Sequence, residues 1–316
     1  MPDILVSESL DGPGLEELRQ RHSVSVQPEL WRDPGALAAR LAESRALIVR
    51  NQTQVTSELI RASNRLEVIG RAGAGLDNID VSAAREAGIT VCYAPDQNAL
   101  SVAELAMAML LALARRLVSA DRSTHAGEWA RGAFGGMELS GKTLGVVGFG
   151  RIGFLLAMRA RAFGMRVLAH DPFVGADAVT VTESGAELTT LDDLLARADV
   201  VSCHVPSTPA SHKLFGAERF RAMKQTALFL NLARGDVVDE PALIEALRQG
   251  WIGGAGLDVR AIEPPAPSPL DEMENVILTP HIGAFTAEAQ ARVVAVVCRD
   301  IAAVLDGRPA LYACAP

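Results

Sequence analysis

Three glycines and one acid carry the most specific chemical signal in the chain. Gly148, Gly150 and Gly153 follow the apolar run "TLGVV" and precede the helical segment "FLLAMRARAFG". Such a turn binds a pyrophosphate, because free N–H groups at the start of a helix stabilise an anion. Gly148 suits a tight turn, Gly150 a close approach of the pyrophosphate, and Gly153 close packing of the helix on the strand. Asp171 ends the next strand, "MRVLAHD", where a carboxylate binds a ribose diol and repels a 2′-phosphate. The spacing predicts a dinucleotide site that favours NAD over NADP.

Two further glycine-rich loops fail the same test. "IGRAGAGLDN" (Ile69–Asn78) has Asn78 in place of the third glycine, and the strand after it, "ITVCY", ends without an acid. "GGAGLDV" (Gly253–Val259) leads into the proline-rich loop "RAIEPPAPSP" instead of a helix. Because a dinucleotide fingerprint needs all of these parts, we expect a different role for both loops.

The elements around these loops alternate between strand and helix patterns. Short β-branched runs such as "DILVS", "ALIV" and "LEVIG" are separated by helical patterns, and a second alternating series of six strands begins at "KTLGVVGFG". This pattern predicts an α/β protein with two domains, each a parallel sheet covered by helices on both faces. We expect a flavodoxin-like first domain and a Rossmann-type second domain. A capping box at Ser101 and Glu104 is expected to start the long helix between them.

The amphipathic segment after Thr286, "AEAQARVVAVVCRDIAAVLDG", is one predicted helix that could return to the first domain. The predicted domains are therefore residues 1–98 plus 287–316, and residues 99–286.

Composition excludes several classes of protein. The 316-residue chain has a formal net charge of −8 and three lysines, so nucleic acid is not expected as a partner. The longest apolar segment, Val102–Leu117, is too short and too charged to span a bilayer, and no membrane association is expected. No metal site is predicted. The four cysteines lack C-x-x-C spacing and no signal peptide precedes them, which favours reduced thiols and a cytoplasmic protein.

Four motifs carry a resemblance that covers nearly the whole chain. "GVVGFGRIG", "NLARGDVVDE", "GAGLDVRAIEPP" and "LTPHIGAFTAEA" occur in the order typical of the D-isomer-specific 2-hydroxyacid dehydrogenases. The loop "GRAGAGLDNID" is similar to that of the 3-phosphoglycerate dehydrogenase branch. The resemblance implies a dinucleotide domain inserted into a substrate domain, and a homodimer formed through the dinucleotide domain.

The resemblance also implies three catalytic residues, Arg234, Glu263 and His281. Reduction of a 2-oxo acid needs a proton donor, and histidine suits this role near neutral pH. Glu263 would bind the other imidazole nitrogen and fix the tautomer. Arg234 can hold a carboxylate or carbonyl oxygen as a planar fork.

The remaining implied contacts concern the cofactor NAD. Asp258 is expected to bind the nicotinamide carboxamide, and His204 to act through its backbone beside Pro206. Ser211 stands where the family often has Thr. The complete predicted cofactor set is Gly148, Gly150, Arg151, Ile152, Gly153, Asp171, Pro172, His204, Val205, Pro206, Ser211, Ala233, Asp258 and Gly283.

Three arginines match positions where the phosphoglycerate branch places a cation for the distal phosphate. They are Arg50, Arg71 and Arg131, the last expected to reach across a dimer interface. Ala72 and Gly73 would present free backbone N–H groups to the substrate carboxylate. Phe285 stands where family members often have Ser, so it either reshapes the wall near the nicotinamide or packs at the domain hinge.

These features predict an NAD-dependent dehydrogenase of a small anionic 2-hydroxy acid, with 3-phosphoglycerate as the best guess. Sulfolactate and the pair glyoxylate and hydroxypyruvate are the alternative substrates. A non-catalytic NAD-sensing protein similar to the corepressors of this fold is the alternative from another class. Formate dehydrogenase ranks low, because that enzyme has Gln where this chain has Glu263.

Overall fold

The computed structural model describes residues 2–314 of the chain. These residues form two compact units. The first unit is Met1–Asn98 with Ala284–Pro316, and the second is Ala99–Gly283. The first unit is therefore discontinuous in sequence, and the second is inserted into it.

Strands and helices alternate along both units. In residues 2–314 the strands are β1 Ile4–Val6, β2 Val24–Val26, β3 Ala46–Val49, β4 Val68–Arg71, β5 Thr90–Cys92, β6 Thr143–Val147, β7 Arg166–His170, β8 Glu187–Leu188, β9 Val200–Cys203, β10 Leu228–Asn231, β11 Gly254–Leu257 and β12 Val276–Leu278. The helices are α1 Pro13–Arg21, α2 Pro34–Leu41, α3 Ser57–Arg61, α4 Val81–Glu86, α5 Ala99–Ala114, α6 Leu117–His125, α7 Arg151–Ala162, α8 Val179–Ser184, α9 Leu191–Arg197, α10 Ala217–Ala222, α11 Glu240–Arg248 and α12 Ala287–Leu305. Short 3-10 turns occur at Leu30–Arg32, Arg131–Phe134, Gly235–Val237 and Pro269–Glu272.

The first unit is a parallel sheet in the order β2-β1-β3-β4-β5, which is the flavodoxin-like order. Strands β1 and β3 are apolar and wholly buried, because helices cover both faces of the sheet. Helices α1 and α12 pack on one face, and α2, α3 and α4 pack on the other. Thr286 begins α12, where its hydroxyl accepts the amide of Ala289.

The second unit is a parallel sheet in the order β12-β11-β10-β9-β6-β7-β8. Helices α5, α7 and α8 cover one face, and α9, α10 and α11 cover the other. The chain order reverses between β6 and β9, and ligands bind at the carboxyl ends of strands at such a switch point. The two parallel sheets confirm the predicted α/β class, with flavodoxin-like and Rossmann-type orders.

Two expectations about local structure are wrong. The second sheet has a seventh strand, β8, which pairs with β7 over two residues and is too short to give a sequence pattern. Helix α5 begins at Ala99, so Ser101 lies inside the helix and does not cap it. Ser101 is buried, and the carboxylate of Glu104 lies 3.3 Å from the guanidinium of Arg159 instead of turning back to a cap.

The second crossing between the units lies at Gly283 and Ala284. The amide of Gly283 donates to the Asp258 carboxylate at 2.8 Å within the second unit. The carbonyl oxygen of Ala284 accepts the side-chain amide of Gln290 at 2.8 Å within the first unit. The division therefore falls at Ala284, slightly before the predicted residue 287. Within residues 2–314, every helix is too short or too polar to cross a lipid bilayer.

Candidate active site

An imidazole–carboxylate pair lies at the carboxyl end of the second sheet. Nδ1 of His281 is 2.7 Å from Oε2 of Glu263, and both side chains are partly exposed. His281 follows β12 and has a left-handed backbone with φ of 55°. A histidine in that region is strained by about 1 kcal/mol, and such strain persists where the surrounding contacts fix the residue. The pair leaves the second ring nitrogen, Nε2, available for proton transfer.

The carboxylate of Glu263 is held at both oxygens. Oε2 contacts His281, and Oε1 accepts the backbone amide of Arg260 at 3.1 Å. Burial opposes ionisation of Glu263, but the hydrogen bonds from His281 and Arg260 outweigh it and lower the pKa of the carboxyl. The positive charge of Arg234 acts in the same direction. Glu263 is therefore a carboxylate at neutral pH, which favours a proton on the imidazole.

A buried aspartate holds the segment that carries His281. Asp258 follows β11 and is 2% exposed. Its Oδ1 accepts the amide of Ile282 at 2.8 Å and the hydroxyl of Thr279 at 2.6 Å, and its Oδ2 accepts the amide of Gly283 at 2.8 Å. Three protein donors therefore already use this carboxylate. One lone-pair position remains for the predicted carboxamide contact, because a carboxylate accepts about four hydrogen bonds.

Arg234 lies just after β10, in a turn fixed by Asn231. The side chain of Asn231 donates to the carbonyl oxygen of Arg234 at 2.9 Å and accepts the amide of Ala233 at 3.1 Å. The guanidinium of Arg234 donates to the carbonyl oxygen of Ala233 at 2.8 Å. At Gly235, an added Cβ would lie 1.8 Å from the carbonyl oxygen of Arg260. The turn of Arg234 and the segment of Glu263 are therefore in backbone contact.

The glycine turn between β6 and α7 has the shape that a pyrophosphate needs. Gly148 has φ of 91°, and a Cβ there would lie 2.7 Å from the backbone of His204. A Cβ on Gly153 would lie 2.5 Å from the carbonyl oxygen of Gly148, so α7 packs closely on the turn. A Cβ on Gly150 would meet nothing within 4 Å, so this glycine faces open space at the start of α7. Arg151 and Ile152 form the first turn of that helix. An anion fits this arrangement.

Asp171 follows β7, next to Pro172. Its Oδ2 accepts the amide of Phe149 at 2.8 Å, and its Oδ1 accepts the amide of Phe173 at 2.9 Å. Both bonds orient the carboxylate at the edge of the glycine turn. Each oxygen keeps a further lone pair for a ribose hydroxyl. The residues present therefore fit NAD.

The segment after β9 is held by its own side chains. His204 donates its amide to Val147 at 2.7 Å, and its Nε2 lies 2.8 Å from the Ser202 hydroxyl. Burial lowers the pKa of His204 to about 4, so the ring is neutral. The buried Ser211 hydroxyl donates to the carbonyl oxygen of Pro206 at 2.6 Å. Ser211 therefore supports the loop of Val205 and Pro206 from inside, which suits an indirect role better than the predicted contact with the cofactor.

In the first unit, Arg50 is oriented by several partners. Its guanidinium donates to Oε1 of Gln290 at 2.6 Å, and its Cζ lies 5.7 Å from the ring centroid of Phe285. The buried carboxylate of Glu8 accepts the amides of Arg50 and Thr53 at 2.8 and 3.0 Å. Burial lowers the pKa of Arg50, while the charge of Glu8 opposes this change. Phe285 is 66% exposed, so its ring is not a core residue.

The loop after β4 differs from the expected anion-binding loop. The amide of Ala72 donates to the carbonyl oxygen of Val49, and the amide of Gly73 to that of Arg71, both at 2.8 Å. The expectation of free N–H groups at Ala72 and Gly73 is therefore wrong, because the pairing of β3 with β4 continues to Ala72. The guanidinium of Arg71 folds back over this loop, and an added Cβ on Gly73 would lie 1.4 Å from Nη1.

Arg131 lies in the second unit, at the first position of the exposed 3-10 turn Arg131–Phe134. The structure thus brings Arg234, Glu263 and His281 together in the second unit. Arg50 and Arg71 belong to the first unit. Among residues 2–314, no cluster of three or more histidine, cysteine, aspartate or glutamate side chains could hold a metal ion.

Sequence reasoning missed four residues that organise the pair: Thr279, Asn231, Arg260 and Glu240. Thr279 and Asn231 each follow or end a strand beside a predicted site residue, and that position was an available signal. Arg260 and Glu240 lie 20 residues apart, and nothing local in the sequence indicates that they meet.

Comparison with known proteins agrees with this geometry. Residues 107–283 match the family model described as D-isomer specific 2-hydroxyacid dehydrogenase, NAD binding domain. The chain is 42% identical over 307 residues to D-3-phosphoglycerate dehydrogenase of Archaeoglobus fulgidus, covering 97% of this chain and 58% of that protein. The chain spans about half the length of the curated relatives that it matches.

Two solved structures are similar over almost their whole length. A protein from Thermus thermophilus has a TM-score of 0.92 and 38% identity, with 99% of both chains covered. D-lactate dehydrogenase from Aquifex aeolicus, in complex with NAD and lactic acid, has a TM-score of 0.84 and 32% identity. That alignment covers 96% of this chain and 95% of the other.

Proposed function

The chain belongs to the D-isomer-specific 2-hydroxyacid dehydrogenase family, and its second unit is the NAD-binding domain of that family; from this premise we propose that it interconverts a small anionic 2-hydroxy acid and its 2-oxo acid. The observation that carries the proposal is the 2.7 Å contact between His281 Nδ1 and Glu263 Oε2. A histidine held in this way is suited to transfer a proton at its other nitrogen.

The three residues of the second unit have separate tasks in the proposed reaction. NAD, when bound, exchanges the hydride with the substrate carbon. His281 gives a proton from Nε2 to the oxygen of the 2-oxo group during reduction, and takes it back during oxidation. Glu263 fixes the ring through Nδ1 and stabilises its protonated form. Arg234 binds the substrate carboxylate or carbonyl oxygen and places it beside the imidazole.

The proposed cofactor contacts follow the geometry of the second unit. The open side of Gly150 and the first turn of α7 would hold the pyrophosphate, and Asp171 would bind the ribose diol. The remaining predicted contacts, from Pro172 through the segment Val205–Pro206 to Ala233, Asp258 and Gly283, stand as proposals for the ribose and nicotinamide ends.

The proposed substrate is 3-phosphoglycerate, with phosphohydroxypyruvate as its oxidised form. Several curated relatives that bear the name D-3-phosphoglycerate dehydrogenase are 42% to 46% identical to this chain. Arg50 and Arg71 in the first unit, with Arg131 in the second, would supply positive charge for the distal phosphate. Sulfolactate fits the same charges, and glyoxylate or hydroxypyruvate would need none of them.

We also propose a homodimer formed through the second unit, and a cytoplasmic location. Exposed apolar side chains on α6 and the segment after it support the first point: Leu117 is 59% exposed and Trp129 87% exposed. The four cysteines are unpaired thiols, which supports the second. Burial raises the pKa of Cys92, Cys203 and Cys298 to about 12, so these thiols are unreactive.

The decisive test is oxidation of NADH with a panel of 2-oxo acids: phosphohydroxypyruvate, sulfopyruvate, hydroxypyruvate, glyoxylate and pyruvate. We expect the highest kcat/KM for an acid with a phosphate or sulfonate at its far end. A higher kcat/KM for acids with uncharged tails would contradict the proposed role of the arginines. Tight NADH binding without turnover of any acid would favour the NAD-sensing alternative.

A further inference from the structure

An ion pair ties the segment that carries Glu263 to the start of helix α11. The guanidinium of Arg260 donates from Nε to Oε2 of Glu240 at 3.0 Å, and from Nη2 to Oε1 at 2.8 Å. This parallel two-bond geometry is the strongest form of an arginine–carboxylate contact. The Arg260 side chain is 8% exposed, so solvent screens the pair poorly. Glu240 is the first residue of α11, where the helix dipole stabilises a negative charge.

The ion pair continues directly into the imidazole–carboxylate pair. The backbone amide of Arg260 donates to Oε1 of Glu263, whose Oε2 contacts His281. The amide of Ala261 lies 3.5 Å from Oε2 of Glu240. The hydrogen bond from Arg260, with burial opposing it, lowers the pKa of Glu240, and the same bond raises that of Arg260. Both partners are therefore charged across the neutral range.

The segment that these contacts hold has no regular structure of its own. Residues 259–264 lie outside the strands and helices of the second unit, so no ladder or helical bond fixes the direction of Glu263. Stability alone does not explain a buried ion pair here, since apolar side chains of similar volume often stabilise a protein equally well. A fixed backbone amide at Arg260 does explain it, because that amide sets which way the Glu263 carboxylate points.

We propose that the Arg260–Glu240 ion pair is a positioning device that orients Glu263, and through it His281, for proton transfer. The inference rests on the proposed function. Arg260 and Glu240 are positioning residues, since neither contacts the imidazole. Loss of the pair would let the Glu263 carboxylate rotate away from Nδ1 and leave the imidazole in a mixture of tautomers.

The test uses the full chain with both charges removed together, Arg260→Met with Glu240→Gln, so that no uncompensated charge remains. The matched control is Arg197→Met with Glu187→Gln. That arginine also makes two parallel bonds, at 2.8 and 3.1 Å, but on the exposed surface at α9. Arg260→Lys is the conservative variant that keeps the charge and loses the two-bond geometry.

For the best 2-oxo acid of the panel, we expect the double variant to lower kcat about 10-fold while KM and the Kd of NADH change less than about 2-fold. Arg260→Lys should recover part of the loss, and the control pair should have no effect. In a Glu263→Gln background the double variant should cost less than about 2-fold, because its effect passes through Glu263. An undiminished loss in that background would overturn the proposal.

Histidine-labelled NMR separates failure of this inference from failure of the proposed function. The imidazole nitrogen signals of His281, assigned with a His281→Asn variant, should shift in the double variant in the same direction as in Glu263→Gln. They should stay in place in the control pair. If the protein turns over no 2-oxo acid but these shifts occur, the proposed function fails and the positioning role stands. Unchanged His281 signals in the double variant would overturn the positioning role whatever the activity.

Discussion

The backbone amide of His281 donates to the carbonyl oxygen of Asp258 at 2.8 Å, and the Asp258 carboxylate accepts the amides of the next two residues. One buried aspartate at the end of β11 therefore fixes the segment after β12 at three consecutive amides. This anchoring explains how His281 keeps a left-handed φ of 55° without glycine.

Asp258→Asn should destabilise the protein by about 1–3 kcal/mol and lower kcat. An amide group in place of the carboxylate would turn an N–H toward the donors of Ile282, Gly283 or Thr279 and leave a buried donor without an acceptor. Urea unfolding and steady-state kinetics measure the two effects. Thr279→Val is the milder control, since it removes one donor and leaves the two amides paired. Equal unfolding free energies for Asp258→Asn and the wild type would contradict the anchoring role.

His281→Asn should lower kcat at least ~100-fold, the usual contribution of general acid–base catalysis. The melting temperature should stay close to that of the wild type, because asparagine tolerates a left-handed φ. His281→Val is the contrasting variant, since a β-branched residue at this φ should also lower the melting temperature. Near-full activity of His281→Asn would remove His281 from the proposed mechanism.

Glu263 should stabilise the fold above its ordinary pKa of 4.5 and cease to do so below it, because its pKa is lowered in the folded protein. The difference in unfolding free energy between the wild type and Glu263→Gln should therefore be constant from pH 8 to about 5 and shrink as the pH falls further. Urea titrations across this range measure it. A difference that grows below pH 4 would mean that the pKa of Glu263 is raised.

The sequence was informative where the signal is local. The turn Gly148–Gly153 and Asp171 could be placed because strand, turn, helix and acid follow one another within one βαβ unit. The anchoring by Asp258 was not foreseen, because it joins residues 21 to 25 positions apart on neighbouring strands. The expected free amides at Ala72 and Gly73 failed for a related reason. Sequence pattern shows where small residues lie, but not that the β3–β4 ladder already uses their N–H groups.

Asp171→Asn should raise the Kd of NADH and reduce discrimination against NADPH. The variant removes the negative charge that would repel a 2′-phosphate, while one side-chain oxygen remains to accept the amide of Phe149 or Phe173. Fluorescence titration with both cofactors gives the ratio of the two Kd values. Asp193→Asn on the exposed face of α9 serves as the charge control. An unchanged NADH to NADPH ratio would contradict the proposed ribose contact.

Phe285→Ser should raise KM for a substrate with an anionic tail several-fold and leave KM for glyoxylate unchanged. The ring of Phe285 lies beside the guanidinium of Arg50, and an exposed cation–π contact contributes about 0.5–1 kcal/mol, or roughly 2- to 5-fold in binding. Gln290 would hold Arg50 from one side alone in this variant. Phe285→Tyr keeps an aromatic face and should retain the wild-type KM, whereas Arg50→Met should show a larger increase than Phe285→Ser. Equal changes in KM for anionic and uncharged substrates would instead place Phe285 outside substrate selection.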